Sequence, residues 1–349
     1  MNRKNNFDFL RFIAAISVIF THAFQLTLPE NKNGDFLWIF TGGQLSIGGI
    51  AVGIFFVMSG YLITSSWQSK PDIRSYLRAR SLRIFPGLIV LIFLTVFIIG
   101  PLFSKSDTYW QNSDTYRYLG NITLNLPKMS STITHDGIQQ SLPGVFENNS
   151  LPYYTNGSLW TLHYEFFAYL FIMVLGIFKL LEKRFVLFAL GFFVVAHLTN
   201  NHITNSSYFV LIRYFLAGSV LWLWKKYITY TWKLCLLAII FLILAEPLHL
   251  LDTAFVFFGA YLTIFFAQGN RFANFGKLGD ASYGIYIWGF LIQQCVRATL
   301  PTLLPLENFF ISLPIAIIVG YISWHTIEKN ALKFKHNRKS ITSTPNKSI

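Results

Sequence analysis

Apolar stretches of about 15 to 23 residues recur from one end of the chain to the other, and they limit the possible folds more than any other feature. Crossing a hydrocarbon layer of about 30 Å takes roughly 20 apolar residues in a helix that satisfies its own backbone hydrogen bonds. Ten such helices are expected, at residues 10–28, 44–66, 85–103, 158–178, 185–199, 208–224, 232–247, 252–268, 281–297 and 308–326. The fold class is therefore all-α, a polytopic transmembrane bundle of about ten helices. Apolar residues make up 53% of the chain and charged residues only 12%, a balance that leaves no room for a separate soluble domain. The 36 Phe suit lipid-facing and packed helix surfaces, and the nine Trp and 17 Tyr suit interfacial belts.

A net charge of +13 would suggest nucleic acid in a soluble protein, but here the charge alternates with the helices. With the N-terminus in the cytoplasm, only six of the 28 Lys and Arg fall outside: Lys32, Lys105, Arg117, Lys128, Arg213 and Arg297. Positive charge gathers on the cytoplasmic side of membrane proteins, so both termini are expected there, with no nucleic-acid partner. Cys235 and Cys295 both lie within expected helices, which gives neither a disulfide framework nor metal-ligand spacing. Arg3 and Lys4 before an apolar run resemble a signal peptide, but the run is long and lacks a small-x-small cleavage site, so it reads as a retained first helix. The Asn-x-Ser/Thr matches at Asn121, Asn148, Asn156 and Asn205 carry little weight in an Asn-rich chain.

Residues 1–327 read as one transmembrane domain and 328–349 as a basic cytoplasmic tail. Residues 104–157 form a long, polar outer loop, and loops of that length in compact proteins are functional or disordered. Its Tyr109, Trp110, Tyr116, Tyr118, Tyr153 and Tyr154 suit contact with sugar faces. No internal repeat or matched pair of broken helices is visible, which disfavours an inverted-repeat transporter.

The first helix carries two groups that lipid penalises. Arg11 and His22 are eleven residues apart, which puts them within roughly 20° on one helix face and about 16 Å apart along its axis. Arg11 falls at the cytoplasmic edge, where snorkelling alone would explain it; His22 falls deeper, where an ionisable group usually faces a cavity. Glu165, in "GSLWTLHYEFFAYL", is the second deep ionisable residue. Counted from the helix ends it lies at the depth of His22, so a pair is expected in which the carboxylate orients the imidazole. His163, two residues earlier, points to a nearly opposite face. On the cytoplasmic side "SYLRARSLRIFPG" presents Arg78, Arg80 and Arg83, which with Arg11 suit the phosphates of a donor, although any inner loop collects positive charge. The glycines of "GGIAVGIFFVMSGYLIT" lack a phosphate-binding context and suit close helix contact. In "LGDASYGIYIWGFLIQQ", Asp280 and Ser282 read as a helix cap.

These segments together resemble the acyltransferase-3 family of integral membrane acyltransferases, which includes O-antigen and other surface-polysaccharide O-acetyltransferases. The resemblance covers nearly the whole chain. It rests on Arg11 and His22 in "LRFIAAISVIFTH", on "FFVMSGYLIT", on "RARSLRIFP" with Arg80 and Arg83, on "SLWTLHYEFFAYL" with Glu165, on "SYGIYIW", and on Ile327 and Glu328 in "HTIEK". It implies transfer of an acyl group, commonly acetyl, from cytoplasmic acyl-CoA to a hydroxyl of a sugar, at the bacterial inner membrane. It also implies that His22, Arg11, Arg80 and Arg83 are essential. Gly53 and Gly289 stand where many members carry an acidic residue and a histidine, which argues against general-acid work by the ninth helix.

The expected mechanism has acetyl-CoA entering from inside, with Arg11, Arg78, Arg80 and Arg83 holding its phosphates. His22 then acts as general base, oriented by Glu165, on a polysaccharide or lipid-linked glycan from outside; an acyl-histidine relay is the variant. No metal is expected. The competing readings are a transporter or flippase of a lipid-linked glycan, and an acyltransferase acting on peptidoglycan, a lipid head group or a small molecule.

Overall fold

The computed structural model describes residues 5–29, 34–124, 134–135, 138–139, 141–152, 154–199 and 207–336. Arg3, Lys4, Lys32, Lys128, Tyr153, Asn205 and the tail from residue 337 lie outside the described residues. The first helices are α1 (Phe7–Thr27), the short α2 (Phe36–Phe40), α3 (Ile47–Ser69) and α4 (Ile73–Phe103, with a π turn at Thr95–Ile99). Then come α5 (Trp160–Ile177), α6 (Lys183–Leu198), α7 (Ser207–Leu223) and α8 (Trp232–Ala245). The last are α9 (Leu251–Gln268), α10 (Ser282–Thr299) and α11 (Pro305–Lys333). Among the described residues the only strands are the two-residue pair Thr134–His135 and Ile138–Gln139. A helix stands at each of the ten expected positions. Six (α1, α3, α4, α5, α9 and α11) are long and apolar enough to cross a membrane; α7 and α8 are apolar but shorter.

Local chemistry explains where the helices begin. Asp72 caps α4 through the N–H of Ser75, Ser46 caps α3 through Gly49, and Thr231 caps α8 through Leu234. The start of α1 is tied to the end of α9: Asn6 Nδ2 donates to Phe266 O, and the Asn6 N–H donates to Ala267 O at 2.9 Å. Between α3 and α7 the backbones touch. A Cβ on Gly60 would stand 1.9 Å from Phe215 O, and one on Gly218 would stand 2.0 Å from Val57 O. Lipid gives helices no hydrophobic reason to associate, so close approach at small residues has to hold them.

Three registers fix the site. Helices α1 and α10 run parallel: Arg11 reaches Asp280, Ile19 lies against Gly289, and the His22 ring packs edge-on against Phe290 at 4.9 Å. Helices α1 and α3 run antiparallel: Phe7 stacks with Tyr61, and Thr21 Oγ1 accepts from the Gly48 N–H at 2.7 Å. Helix α5 joins them at Thr161, whose hydroxyl is 2.6 Å from that of Tyr286.

The described parts of the long loop pack onto the bundle. Residues 149–152 and 154–157 turn back into it along α10, where Asn149 Nδ2 donates to Gln294 Oε1 at 2.6 Å and Gln294 Nε2 donates to Tyr154 O at 2.6 Å. Deeper, Asn156 Nδ2 donates to Ile287 O at 2.8 Å. From Gln294 to Ile287 is seven residues, about 10 Å of descent. Irregular backbone at this depth is tolerated because α10 side chains and carbonyls satisfy it. Tyr109 and Tyr118, expected to face sugars, are buried, and the Tyr109 hydroxyl donates to Val96 O at 2.7 Å. Trp110 and Tyr116 remain exposed.

Candidate active site

One cavity of about 510 Å³ lies between α1, α3, α4, α5 and α10. One end is ionic, with Asp8, Arg11, Arg80, Arg83, Asp280 and Lys335. The other is lined by Val52, Phe55, Thr161 and Tyr286. The length follows from α3, which contributes from Val52 to Ile63; eleven residues of helix span about 16 Å.

The arginines differ in how far they are neutralised. Arg83 Nη2 donates to Asp280 Oδ2 at 2.6 Å, and Arg11 Nη1 lies 3.5 Å from the same oxygen and 3.1 Å from Asp8. Burial by itself would raise the Asp280 pKa, but Arg83 and Arg11 outweigh it and hold the carboxyl below the usual range. Arg80 has no ion pair among the described residues; its guanidinium lies over the rings of Tyr76 and Tyr169 at 5.9 and 5.8 Å. Burial and the Arg80 cation hold Lys335 below the usual lysine range, which places two positive groups beside one opening. Arg78 does not take part: it is exposed, and two residues from Arg80 it projects from the opposite face of α4.

Glu165 lines the cavity, but the structure separates it from His22. Its carboxylate accepts from Ser59 Oγ at 3.3 Å and from the Tyr169 hydroxyl. Ser59 is eleven residues down α3 from Gly48, which pairs with Thr21, so Ser59 and Glu165 stand level with Leu10. His22 is about three helical turns higher, and no hydrogen bond joins it to Glu165. The expectation of equal depth fails because it counted from helix ends. The inward-turning chain before α5 lowers the start of that helix, so the sixth residue of α5 is much deeper than the sixth residue from the end of α1. His163 stands off the cavity, with its ring against Tyr164 and Phe167.

His22 does not line the cavity and lies beyond its Val52 end. Counting along α1 from the level of Val52 leaves about five residues, roughly 7 Å. Phe290, one turn after Tyr286 on α10, fills that interval, touching both the His22 ring and the space at Gly157. The Arg11 and His22 stripe therefore begins in the ionic mouth and ends past the apolar end.

Sequence reasoning assigned Asp280 to a helix cap, but α10 has no side-chain cap; Asp280 instead neutralises two arginines and accepts from Ser282 at 2.5 Å. The available signal was a lone carboxylate among clustered basic residues. Ser59, Tyr169 and Lys335 had no comparable signal. Gly53 and Gly289 are filled by neighbours, Phe255 and Tyr214 at one and Ile19 at the other. No cluster of metal-ligating residues occurs among the described residues.

A family model described as an acyltransferase domain matches residues 4–325, nearly the whole chain. The chain belongs to this acyltransferase family. Two relatives align along the length of the acyltransferase. An O-acetyl transferase of Shigella phage Sf6 is 27% identical, over 95% of this chain and 97% of its own. Nodulation protein 10 of Rhizobium leguminosarum bv. viciae is 28% identical, over 95% of this chain and 94% of its own. No solved structure matches. Apolar helices and family together make the protein an integral membrane acyltransferase.

Proposed function

We propose that this acyltransferase moves an acetyl group from cytoplasmic acetyl-CoA to a hydroxyl of a surface polysaccharide or lipid-linked glycan, in the bacterial inner membrane. In this reading the helices at all ten positions cross the bilayer and both termini are cytoplasmic. The observation that carries it is the cavity, whose cationic end lies at Arg11 and which runs up the same helix stripe to within about 7 Å of His22. Arg80, Lys335, Arg83 and Arg11 suit the phosphates of the donor, and the apolar length suits its slender pantetheine arm. The printed name of the phage relative supports acetyl as the group and oxygen as the acceptor atom.

The chemistry is an ester exchange. His22 Nε2 takes the proton of the acceptor hydroxyl, the oxygen attacks the thioester carbon, the C–S bond breaks and a C–O bond forms. The proton then passes from Nε2 to the departing thiolate, releasing CoA-SH. Glu165, held by Ser59 and Tyr169, stands alongside the donor arm and not at the imidazole.

The test supplies purified protein in liposomes with labelled acetyl-CoA, with and without acceptor glycan. Acceptor-dependent release of CoA and label in the glycan are expected, and His22→Ala abolishes both while the protein still inserts. Uptake of glycan without release of CoA would identify a transporter instead. Full transfer by His22→Ala would remove His22 from the reaction. Mass analysis of the surface polysaccharide then checks the acceptor, since loss of the protein removes acetyl mass if the acceptor is correct.

A further inference from the structure

His22 has lost Glu165 as its orienting partner, and its Nδ1 is sealed from solvent with no hydrogen bond. The ring is otherwise only partly buried, so Nδ1 is the inward nitrogen and Nε2 the one that faces open space. A base at Nε2 requires the hydrogen on Nδ1, and a buried N–H requires an acceptor.

Gln293, on α10 three residues after Phe290, carries a matching acceptor. Its side chain is fully buried, and its Oε1 is likewise sealed and without a partner. The direction of the amide follows from its neighbours. Nε2 donates to the backbone oxygen of Ile19 at 2.9 Å, one turn before His22, and to Asn308 Oδ1 at 3.1 Å. Asn308 Nδ2 in turn donates to Gln293 O at 3.3 Å, so neither amide can be reversed without losing bonds. That leaves Oε1 as an acceptor fixed at the turn of α1 that carries His22. Both atoms are sealed from bulk solvent, and one lacks an acceptor where the other lacks a donor.

The carboxylate bonded to Thr21, the neighbour of His22, is saturated. Asp35 accepts from Thr21 Oγ1 at 2.5 Å and from the N–H groups of Leu37, Trp38 and Ile47. No other charged side chain is hydrogen-bonded at this level of α1 or α10 among the described residues.

We propose that Gln293 is the positioning residue of His22, its Oε1 taking the Nδ1 hydrogen after a small rotation of the imidazole about its side-chain torsions. The inference rests on the acyl-transfer reading for its kinetic consequence, but the contact itself does not depend on turnover. A neutral amide fixes the tautomer without adding a buried charge. When the imidazolium forms, the same oxygen holds Nδ1–H while Nε2–H is delivered to sulfur.

The experiment compares wild type with Gln293→Leu, Gln293→Glu and Ser312→Ala, the last removing a buried hydroxyl without a partner one turn after Asn308 on α11. Gln293→Leu is expected to lower kcat roughly tenfold or more with KM for acetyl-CoA unchanged. Gln293→Glu gives up the two bonds that Nε2 donates and so keeps only part of the activity, but it moves the acidic limb of the rate profile up by about one pH unit, because a carboxylate favours the imidazolium. Ser312→Ala leaves the profile in place. Nitrogen-15 histidine NMR of the purified protein, with His22 assigned by His22→Ala, reads the Nδ1–H tautomer directly and its loss in Gln293→Leu. A wild-type His22 protonated on Nε2, or an active Gln293→Glu with an unmoved profile, would overturn the proposal. If no acetyl transfer is found at all, the functional reading fails, and the NMR result alone decides the contact.

Discussion

Replacing Asp280 with Asn removes the carboxylate that Arg83 and Arg11 share while leaving its shape. At an effective dielectric of about 20, a unit pair 4 Å apart is worth about 4 kcal/mol before desolvation, and breaking a buried pair costs about 3–5 kcal/mol. The side chains are not fully dry: Asp280 is 13% exposed, Arg83 21% and Arg11 24%. Water reaching the freed guanidiniums brings the expected loss to about 2–3 kcal/mol. Because the folded pKa of Asp280 is held below its ordinary 3.8, the pair's contribution is complete above that value and is lost as pH falls through the lower folded one. Thermal unfolding in detergent should therefore show Asp280→Asn melting lower than wild type by the same margin from pH 6 to pH 8, with the gap closing below about pH 4. Arg83→Gln in the same chain should recover part of the loss, since the two changes share one interaction. Arg117→Ala, which removes an exposed ion pair, should change stability by no more than about 0.5 kcal/mol. Unchanged melting of Asp280→Asn, or strict additivity with Arg83→Gln, would refute the assignment of Asp280 as the shared counter-ion.

The same substitution leaves both guanidiniums to the donor, so the apparent KM for acetyl-CoA should fall, which a steady-state assay reads. Arg80→Ala should raise that KM about tenfold or more by removing the cation without an internal partner, whereas Arg78→Ala, off the cavity, should leave it within twofold. Lys335→Ala should raise it a few-fold at low salt and hardly at all at 0.5 M, because a partly buried cation that water still reaches is screened; a salt titration of KM distinguishes this from lost packing. Gly60→Ala should prevent a monodisperse protein, since the added methyl meets the Phe215 carbonyl with no side chain to yield; size-exclusion of the expressed variant checks it.

Hydropathy alone located the helices, since their length and apolarity are local properties of the chain and follow from the bilayer's thickness. The Arg11 and His22 stripe was legible for the same reason: both residues sit on one helix, whose repeat is known. The arginine pair Arg80 and Arg83 could be found as a charge cluster, but the exclusion of Arg78 depended on which face of α4 meets the cavity. What the sequence could not carry was depth. Glu165 appears level with His22 only if every helix starts at the membrane surface, and the chain before α5 breaks that assumption by descending along α10. Nothing local marks this descent, because the hydrogen bonds that permit it come from Gln294 and Ile287, more than a hundred residues away.

By itself, then, the sequence determined a helical membrane protein with a basic cluster at one end and an arginine and a histidine on one helix stripe. Only the tertiary structure decided which groups meet: Asp280 with two arginines, Glu165 with Ser59 and Tyr169, and His22 with Phe290 beside the fixed amide of Gln293. Spacing along a helix follows from its rise, whereas meeting across helices depends on register, and register is set by contacts such as Thr21 with Gly48 that no single segment contains.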